Sequence, residues 1–359
     1  MSAKLDRVLE SVQKNFKVDI PSARESGIVE RLVLDSPGLN YAFGGGMPLG
    51  RAMFFHGPES GGKTTLATYL ASQVQKKMGK AVLFMDYEYT FEASHAEELG
   101  LDIDNNFILV RPLNAEDGFN MMKEFIDSGE LGLVIIDSVT AMSSKSAVEG
   151  DAFSGFAGGK TAAAISMGIK MLLPYLYNNK CSLIMLSQER ANIGAMYGPD
   201  YKVTGGKAPG FYSTWSARIT RTGDITDPNT KELCGIEMRV RNVKNKVGIA
   251  KRDANLKLLF KSGINSEEEY LDYLVNLGII KKNGAMYEVE NDAWGMGRVR
   301  GIEAVKTFLK THEDTYEKVK SQVNELIAGH NILDENAIDD GLVFDEDTGE
   351  ILNPEIMEN

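Results

Sequence analysis

The chain has 359 residues, 43% hydrophobic and 25% charged, which fits one large globular domain with smaller attachments. No apolar run approaches the ~18 residues needed to cross a bilayer, residues 1–7 are charged with no apolar leader core, and the two cysteines, Cys181 and Cys234, form no Cys-x-x-Cys, so membrane, disulfide-framework and zinc-ribbon classes are disfavoured and a cytoplasmic setting is expected. The net charge of −12 argues against nucleic acid only until its distribution is read: residues 331–359 carry ten Asp and Glu and no Lys or Arg, so the remaining chain is near neutral and can carry basic patches.

In chain order, Leu5, Val8, Leu9, Val12 and Phe16 make an apolar stripe at helical spacing. A helix this short is marginal alone and needs a partner surface, either its own domain or a neighbouring subunit. From about residue 34 strands alternate with helices. Residues 52–56 read as a buried strand, followed by a glycine-rich turn and an amphipathic helix over 63–77. Apolar strands follow at Ala81–Asp86, 107–111, Leu131–Asp137 and 182–187, the last after a long helix over 161–177. These spacings predict an α/β fold with a mostly parallel, twisted sheet flanked by helices on both faces. Segments 214–221, 235–243 and 256–260 extend the sheet. Residues 261–330 read as a small α/β domain with helices near 267–277, 301–311 and 315–328. Two glycine-rich segments without periodicity, about 150–160 and 192–210, read as functional or ligand-ordered loops.

Gly57-Pro58-Glu59-Ser60-Gly61-Gly62-Lys63-Thr64 matches G-x-x-x-x-G-K-[ST] in full, after an apolar strand and opening a helix. Backbone N–H groups of such a turn, with the helix N-terminus, cradle phosphate oxygens. Lys63 would reach the β- and γ-phosphates of ATP and the Thr64 hydroxyl would ligate Mg2+. The strand ending at Asp137 supplies a second carboxylate for Mg2+. Hydrolysis also needs a group to position or deprotonate water, a role for which Glu88 and Asp86 compete evenly on position alone.

These motifs resemble the bacterial and phage RecA recombinase family over most of the chain. The resemblance runs through the P-loop and Thr65, Asp86-Tyr87-Glu88, Leu99–Asn105, Ile136–Val139 and Glu149-Gly150. It continues at Ser187–Arg190, Thr204-Gly205-Gly206, Phe211-Tyr212, Val243–Lys246 and Gly284–Tyr287. It implies an ATP-dependent recombinase, a DNA-dependent ATPase that forms helical filaments on single-stranded DNA and exchanges strands with homologous double-stranded DNA in recombination and repair. Glu88 falls at the catalytic glutamate and Gln188 at the γ-phosphate sensor. Lys244 and Lys246 fall at the pair that reaches a neighbouring subunit's ATP, and Phe211 at an aromatic crossing that interface. Glu92 and His95 fall at the adenine-side acidic residue and ring, where the family carries a tyrosine in place of His95.

The two glycine-rich segments match the family's DNA-binding loops. Lys160, Arg190, Lys202, Lys207 and the backbone at Thr204, Gly205 and Gly206 would meet phosphates. Phe156, Met196 and Tyr197 would contact or stack on bases, although Phe153 and Phe156 sit in an arrangement unlike the family's. Lys281, Lys282, Arg298 and Arg300 resemble a duplex-DNA patch and equally fit a solvated face. The implied organisation is an N-terminal polymerisation segment (1–33), the ATPase core (34–260), the small domain (261–330) and an acidic tail (331–359). By composition the tail is a solvated, disordered end or an electrostatic brake that competes with DNA. A single-strand binding protein and loading mediators are expected partners. The alternative is a ring-forming helicase or translocase with the same core.

Overall fold

The computed structural model describes residues 3–16, 27–149, 157–192, 201–276, 278–289 and 294–329, with strand residues 343–344 and 351–352. The chain separates into two units, Met1–Glu30 and Arg31–Asn359. In the first, Ala3–Phe16 (α1) is a helix whose Leu5, Val8 and Phe16 are exposed.

The second unit opens with Arg31–Leu32 (β1), Pro37–Phe43 (α2) and Met47–Pro48 (β2), with β1 and β2 paired antiparallel. Then come Ala52–Gly57 (β3), Lys63–Met78 (α3), Ala81–Asp86 (β4), Ala93–Glu98 (α4) and Phe107–Val110 (β5). Ala115–Asp127 (α5), Leu131–Asp137 (β6), Lys145–Glu149 (α6), Ala157–Asn179 (α7) and Ser182–Ala191 (β7) follow. Tyr201–Val203 (β8), Ala208–Tyr212 (α8), Trp215–Thr226 (β9), Leu233–Asn245 (β10), Asp253–Leu259 (β11) and Gly263–Ile264 (β12) complete the large sheet and its flanks.

The sheet runs β12-β11-β10-β9-β3-β7-β6-β4-β5, with β8 added to the end of β7. From β9 to β5 every neighbour is parallel, while β9 to β12 form an antiparallel wing. Residues along β3 and β6 are buried on both faces, as central parallel strands require. Alternate side chains feed two cores. Met53, Phe55, Val82 and Leu133 pack toward α3 and Trp215. Phe54, Leu83, Met85, Val134 and Ile136 pack toward α5 and α7. The α/β architecture expected from the alternating pattern is what the chain adopts.

Ser266–Asn276 (α9), Ile280–Asn283 (β13), Met286–Val289 (β14), Val299–Arg300 (β15), Ile302–Thr311 (α10) and Glu313–Gly329 (α11) build a smaller layer around Tyr270, Leu274, Val305, Leu309, Val319 and Val323. β13, β14 and β15 form a separate antiparallel sheet, and Val343–Phe344 (β16) pairs with Ile351–Leu352 (β17). Tyr41 of α2 joins this third core. At the same junction the buried Glu269 carboxylate accepts from Ser36 Oγ at 2.5 Å, and burial pushes it up to about 7.

Three elements differ from the sequence expectation. Helix α7 begins at Ala157 rather than at 161, so Lys160 stands on a helix and not in a loop. Gly158-Gly159 predicts a later start, because glycine costs about 1 kcal/mol in a helix interior, yet an Ala-rich run follows at once. Strand β7 continues to Ala191 because Glu189, Arg190 and Ala191 pair with Val203, Lys202 and Tyr201 of β8. Residues 201–210, expected to be irregular, therefore hold a strand and the start of a short helix.

Candidate functional site

The carboxyl edge of the parallel sheet brings four strand ends together. The turn from the end of β3, the turn after β4, the last residue of β6 and the distal part of β7 supply the P-loop, Glu88, Asp137 and Gln188, which line one cleft of ≈ 290 Å3. Ligands of open parallel sheets bind at this edge, because strand ends point there and crossover helices start there.

The P-loop is packed too tightly for side chains. A Cβ on Gly57 would lie 2.0 Å from the Ile219 carbonyl oxygen, and one on Gly61 2.9 Å from the same atom. Gly62, the cap of α3, has φ 89°, the left-handed region where glycine carries no Cβ strain. Lys63 Nζ donates to the carbonyls of Gly57 at 3.1 Å and Pro58 at 2.7 Å, which centres its ammonium over the loop. Burial lowers its proton affinity, and the carboxylates of Asp137, Glu88, Glu189 and Glu59 oppose that. Glu59, Ser60, Thr64 and Thr65 complete the loop's share of the lining.

The carboxylates have distinct tasks. Asp137 Oδ2 accepts from Thr64 Oγ1 at 2.8 Å. Burial pushes Asp137 up to about 6, helped by the charges of Glu88 and Asp86, against the Thr64 hydrogen bond and the Lys63 charge. Two hard oxygen donors side by side in a negative setting are what Mg2+ takes, so Thr64 and Asp137 fit that ion. Glu88 Oε1 accepts from Ser138 Oγ at 2.5 Å and Gln188 Nε2 at 3.3 Å, which aims it into the cleft. Asp86 is fully buried and spent elsewhere: it accepts from Arg111 Nε at 3.0 Å and from the N–H groups of Thr90 and Phe91. It holds the turn that carries Glu88.

Glu92 caps α4, accepting the N–H groups of His95 at 2.7 Å and Ser94 at 3.2 Å, which hold its carboxyl below the usual range. His95 lies 6.3 Å from the Phe260 ring, edge on, and Phe260 lines the cleft. Phe260, Arg221 and Ile236 reach the cleft from the antiparallel wing. No local sequence motif marks them, because these strands arrive by long-range pairing.

A second, larger groove of ≈ 990 Å3 is lined by Arg190, Lys202, Thr204, Gly205, Gly206, Lys207 and Lys244, with Phe54 and His56 on its wall. Its link to the cleft is a set of hydroxyls. Thr204 Oγ1 donates to the Gln188 carbonyl at 2.6 Å and lies 2.9 Å from Thr140 Oγ1; Ser187 Oγ donates to the Thr204 carbonyl at 2.8 Å. Thr204 thus spends its hydroxyl on the sheet end, leaving the adjacent glycines and lysines to face the groove. Lys244 Nζ donates to the carbonyls of Gly210 at 2.5 Å and Phe211 at 3.0 Å, with Lys246 nearby, and burial lowers its proton affinity first. Neither Lys244 nor Lys246 lines the P-loop cleft of its own chain. Phe211 is 71% exposed, an unusual state for a phenyl ring. Lys160 is exposed on α7. Phe153, Phe156, Met196, Tyr197 and most of 331–359 lie outside the described residues.

Comparison with known proteins agrees with this geometry. The profile described as the RecA N-terminal domain matches residues 3–265, and the RecA C-terminal domain matches residues 268–328. Protein RecA of Wolbachia sp. subsp. Drosophila simulans is 32% identical over 357 residues, covering 98% of this chain and 96% of the relative. Protein RecA of Chloroherpeton thalassium is 34% identical over 329 residues, covering 90% of each. Protein RecA of Paracoccus denitrificans is 32% identical over 346 residues, covering 94% of this chain and 92% of that one. The chain belongs to the RecA family of recombinases, a membership that carries ATP use, DNA binding and filament formation in general and does not favour a ring-forming helicase.

Proposed function

We propose that the cleft hydrolyses Mg2+-ATP between adjacent subunits of a helical filament on single-stranded DNA, and that the filament pairs this strand with homologous duplex DNA. The observation that carries the reading is the placement of Glu88, tethered by Ser138 and Gln188, in the same cleft as Lys63 and Asp137. Lys63 and the loop N–H groups bind the phosphates. Thr64 and Asp137 would hold Mg2+, which supplies neutralising charge to the phosphate oxygens. Glu88 orients the attacking water and accepts its proton. The Gln188 amide can exchange Glu88 for a phosphate oxygen, and its carbonyl then carries that shift to Thr204 at the base of the groove.

Lys244, Lys246 and the exposed Phe211 act on the neighbouring subunit, so nucleotide state sets filament stability. The head-to-tail contact that does not close gives an open helix, with residues 1–33 as the docking segment. Arg190, Lys202, Lys207 and the Gly205-Gly206 backbone bind phosphates of the single strand. Lys160 joins them from α7, with Phe156, Met196 and Tyr197 contributing apolar contacts to bases. Lys281, Lys282, Arg298 and Arg300 of the small domain, 261–330, meet duplex DNA, and the acidic tail, 331–359, competes for the basic surfaces. A single-strand binding protein and loading mediators would govern access to DNA in the cytoplasm.

Glu88→Gln tests the chemistry. ATP affinity should stay within about threefold of the wild type while turnover falls roughly 100-fold or more, the usual scale of a general base. Fast turnover in that variant, read by steady-state phosphate release, would remove Glu88 from the role.

A further inference from the structure

Behind the groove wall, four adjacent strands contribute to one buried polar cluster that the hydrolytic scheme leaves unused. His56 is the last residue of β3 before the P-loop glycine, and its Nδ1 lies 2.7 Å from Glu189 Oε1. Arg218 of β9 forks onto the same carboxylate, with Nε at 3.1 Å from both oxygens and Nη2 at 3.0 Å from Oε2. The guanidinium carbon stands 4.2 Å from the centroid of the Tyr201 ring of β8. The side chains of His56 and Glu189 are 6% and 3% exposed and that of Arg218 is 29% exposed, so the shared carboxylate is buried while the guanidinium reaches solvent at one edge.

Its position follows from strand register. His56 lies across from Ser187 of β7 and Arg218 of β9, while Glu189 lies across from Val203 of β8. Successive side chains of a strand face opposite ways. Gln188 therefore reports to Glu88 in the cleft, and Glu189, the next residue, reports to His56 and Arg218 on the groove side. Burial holds the His56 imidazole below its usual protonation range against the pull of Glu189, and the charges of Arg218 and Lys63 act with burial. A neutral His56 then donates from Nδ1 to the carboxylate. One carboxylate thus ties the strand leading into the P-loop to the stem of the groove.

We infer that His56, Glu189 and Arg218 are positioning residues that couple nucleotide binding in the cleft to single-stranded DNA binding in the groove, by a route parallel to Gln188 and Thr204. The inference rests on the proposed function of those two sites. Coupling is a ratio of affinities and is reciprocal between the two ligands, which separates it from mere support of the fold.

The test uses the full chain with the variants Glu189→Gln and Arg218→Lys. Affinity for fluorescently labelled oligo(dT) is measured with and without a slowly hydrolysed ATP analogue, and analogue affinity with and without oligo(dT). The wild type should show coupling of about tenfold or more in both directions, with Glu189→Gln within about twofold of unity and Arg218→Lys between the two. Basal turnover without DNA should stay within about twofold of wild type, and rescue should be partial in Arg218→Lys, which keeps the charge and loses the fork. Variants with weaker affinities but an unchanged ratio would mean a structural prop and overturn the inference. So would variants indistinguishable from wild type. A wild type with no coupling would overturn the functional reading itself, and the link with it.

Discussion

The nucleotide cleft and the basic groove share the end of strand β7 yet are built on opposite terms. The cleft is narrow, ≈ 290 Å3, and its chemistry sits on or just past rigid strands: the P-loop from Gly57 at the end of β3, Glu88 after β4, Asp137 at the end of β6 and Gln188 on β7. The groove is ≈ 990 Å3 and takes its charge from Arg190, Lys202, Lys207 and Lys244 around a Gly205-Gly206 turn. Chemistry on a phosphate needs donors held to a fraction of an ångström. A DNA backbone of any sequence needs charge and adaptable contacts. On the proposed reading, one sheet carries both, the precise half made of strand ends and the tolerant half of turns.

The contrast breaks most visibly at Lys63. Lys63→Ala should reduce ATP turnover by roughly 1000-fold or more and remove any nucleotide effect on DNA affinity, read by phosphate release and by anisotropy of a labelled strand. Turnover within tenfold of wild type would mean the ammonium over Gly57 and Pro58 is not the phosphate ligand. Next in size is a pair of glycine substitutions. In Gly57→Ala the new Cβ meets the Ile219 carbonyl at 2.0 Å, so backbone must move; a stability loss of about 3 kcal/mol or more is expected. In Gly206→Ala the Cβ finds only the Ala162 Cβ at 3.7 Å, leaving the cost of φ 86°, about 1 kcal/mol. Denaturant melts that gave equal losses would erase the distinction between rigid cleft and open groove.

The smallest effect is electrostatic. Lys202→Ala or Lys207→Ala should weaken binding to any single-stranded sequence alike and lower the slope of log affinity against log salt by about 0.7 each, while ATP turnover without DNA is unchanged. A sequence-dependent loss, measured on oligo(dT) against mixed-sequence strands, would mean that the groove reads bases.

Much of the cleft was legible in the sequence because its signals are local. A buried strand, a glycine turn with Lys63-Thr64 and a carboxylate at the end of Leu131–Asp137 each sit within a few residues. The tie between Asp86 and Glu88 was not legible from position alone: it depends on Arg111, 25 residues away, which claims Asp86. The groove was less legible still. Pairing of Glu189–Ala191 with Tyr201–Val203 is long-range, and so are the arrivals of Phe260 and Arg221 at the cleft and Arg218 at Glu189. Ala157 as the start of α7 was hidden by Gly158-Gly159, where a real breaker signal lost to the helix that follows.

The central claim, that nucleotide state in this cleft controls an open polymer on DNA, is tested most directly by negative-stain imaging of the protein with single-stranded DNA and a slowly hydrolysed ATP analogue. Continuous, extended helical filaments that disassemble when ADP replaces the analogue are the predicted result. Closed rings threaded by DNA, or filaments indifferent to the nucleotide, would contradict the account and strip Lys244, Lys246 and Phe211 of their roles across the subunit boundary.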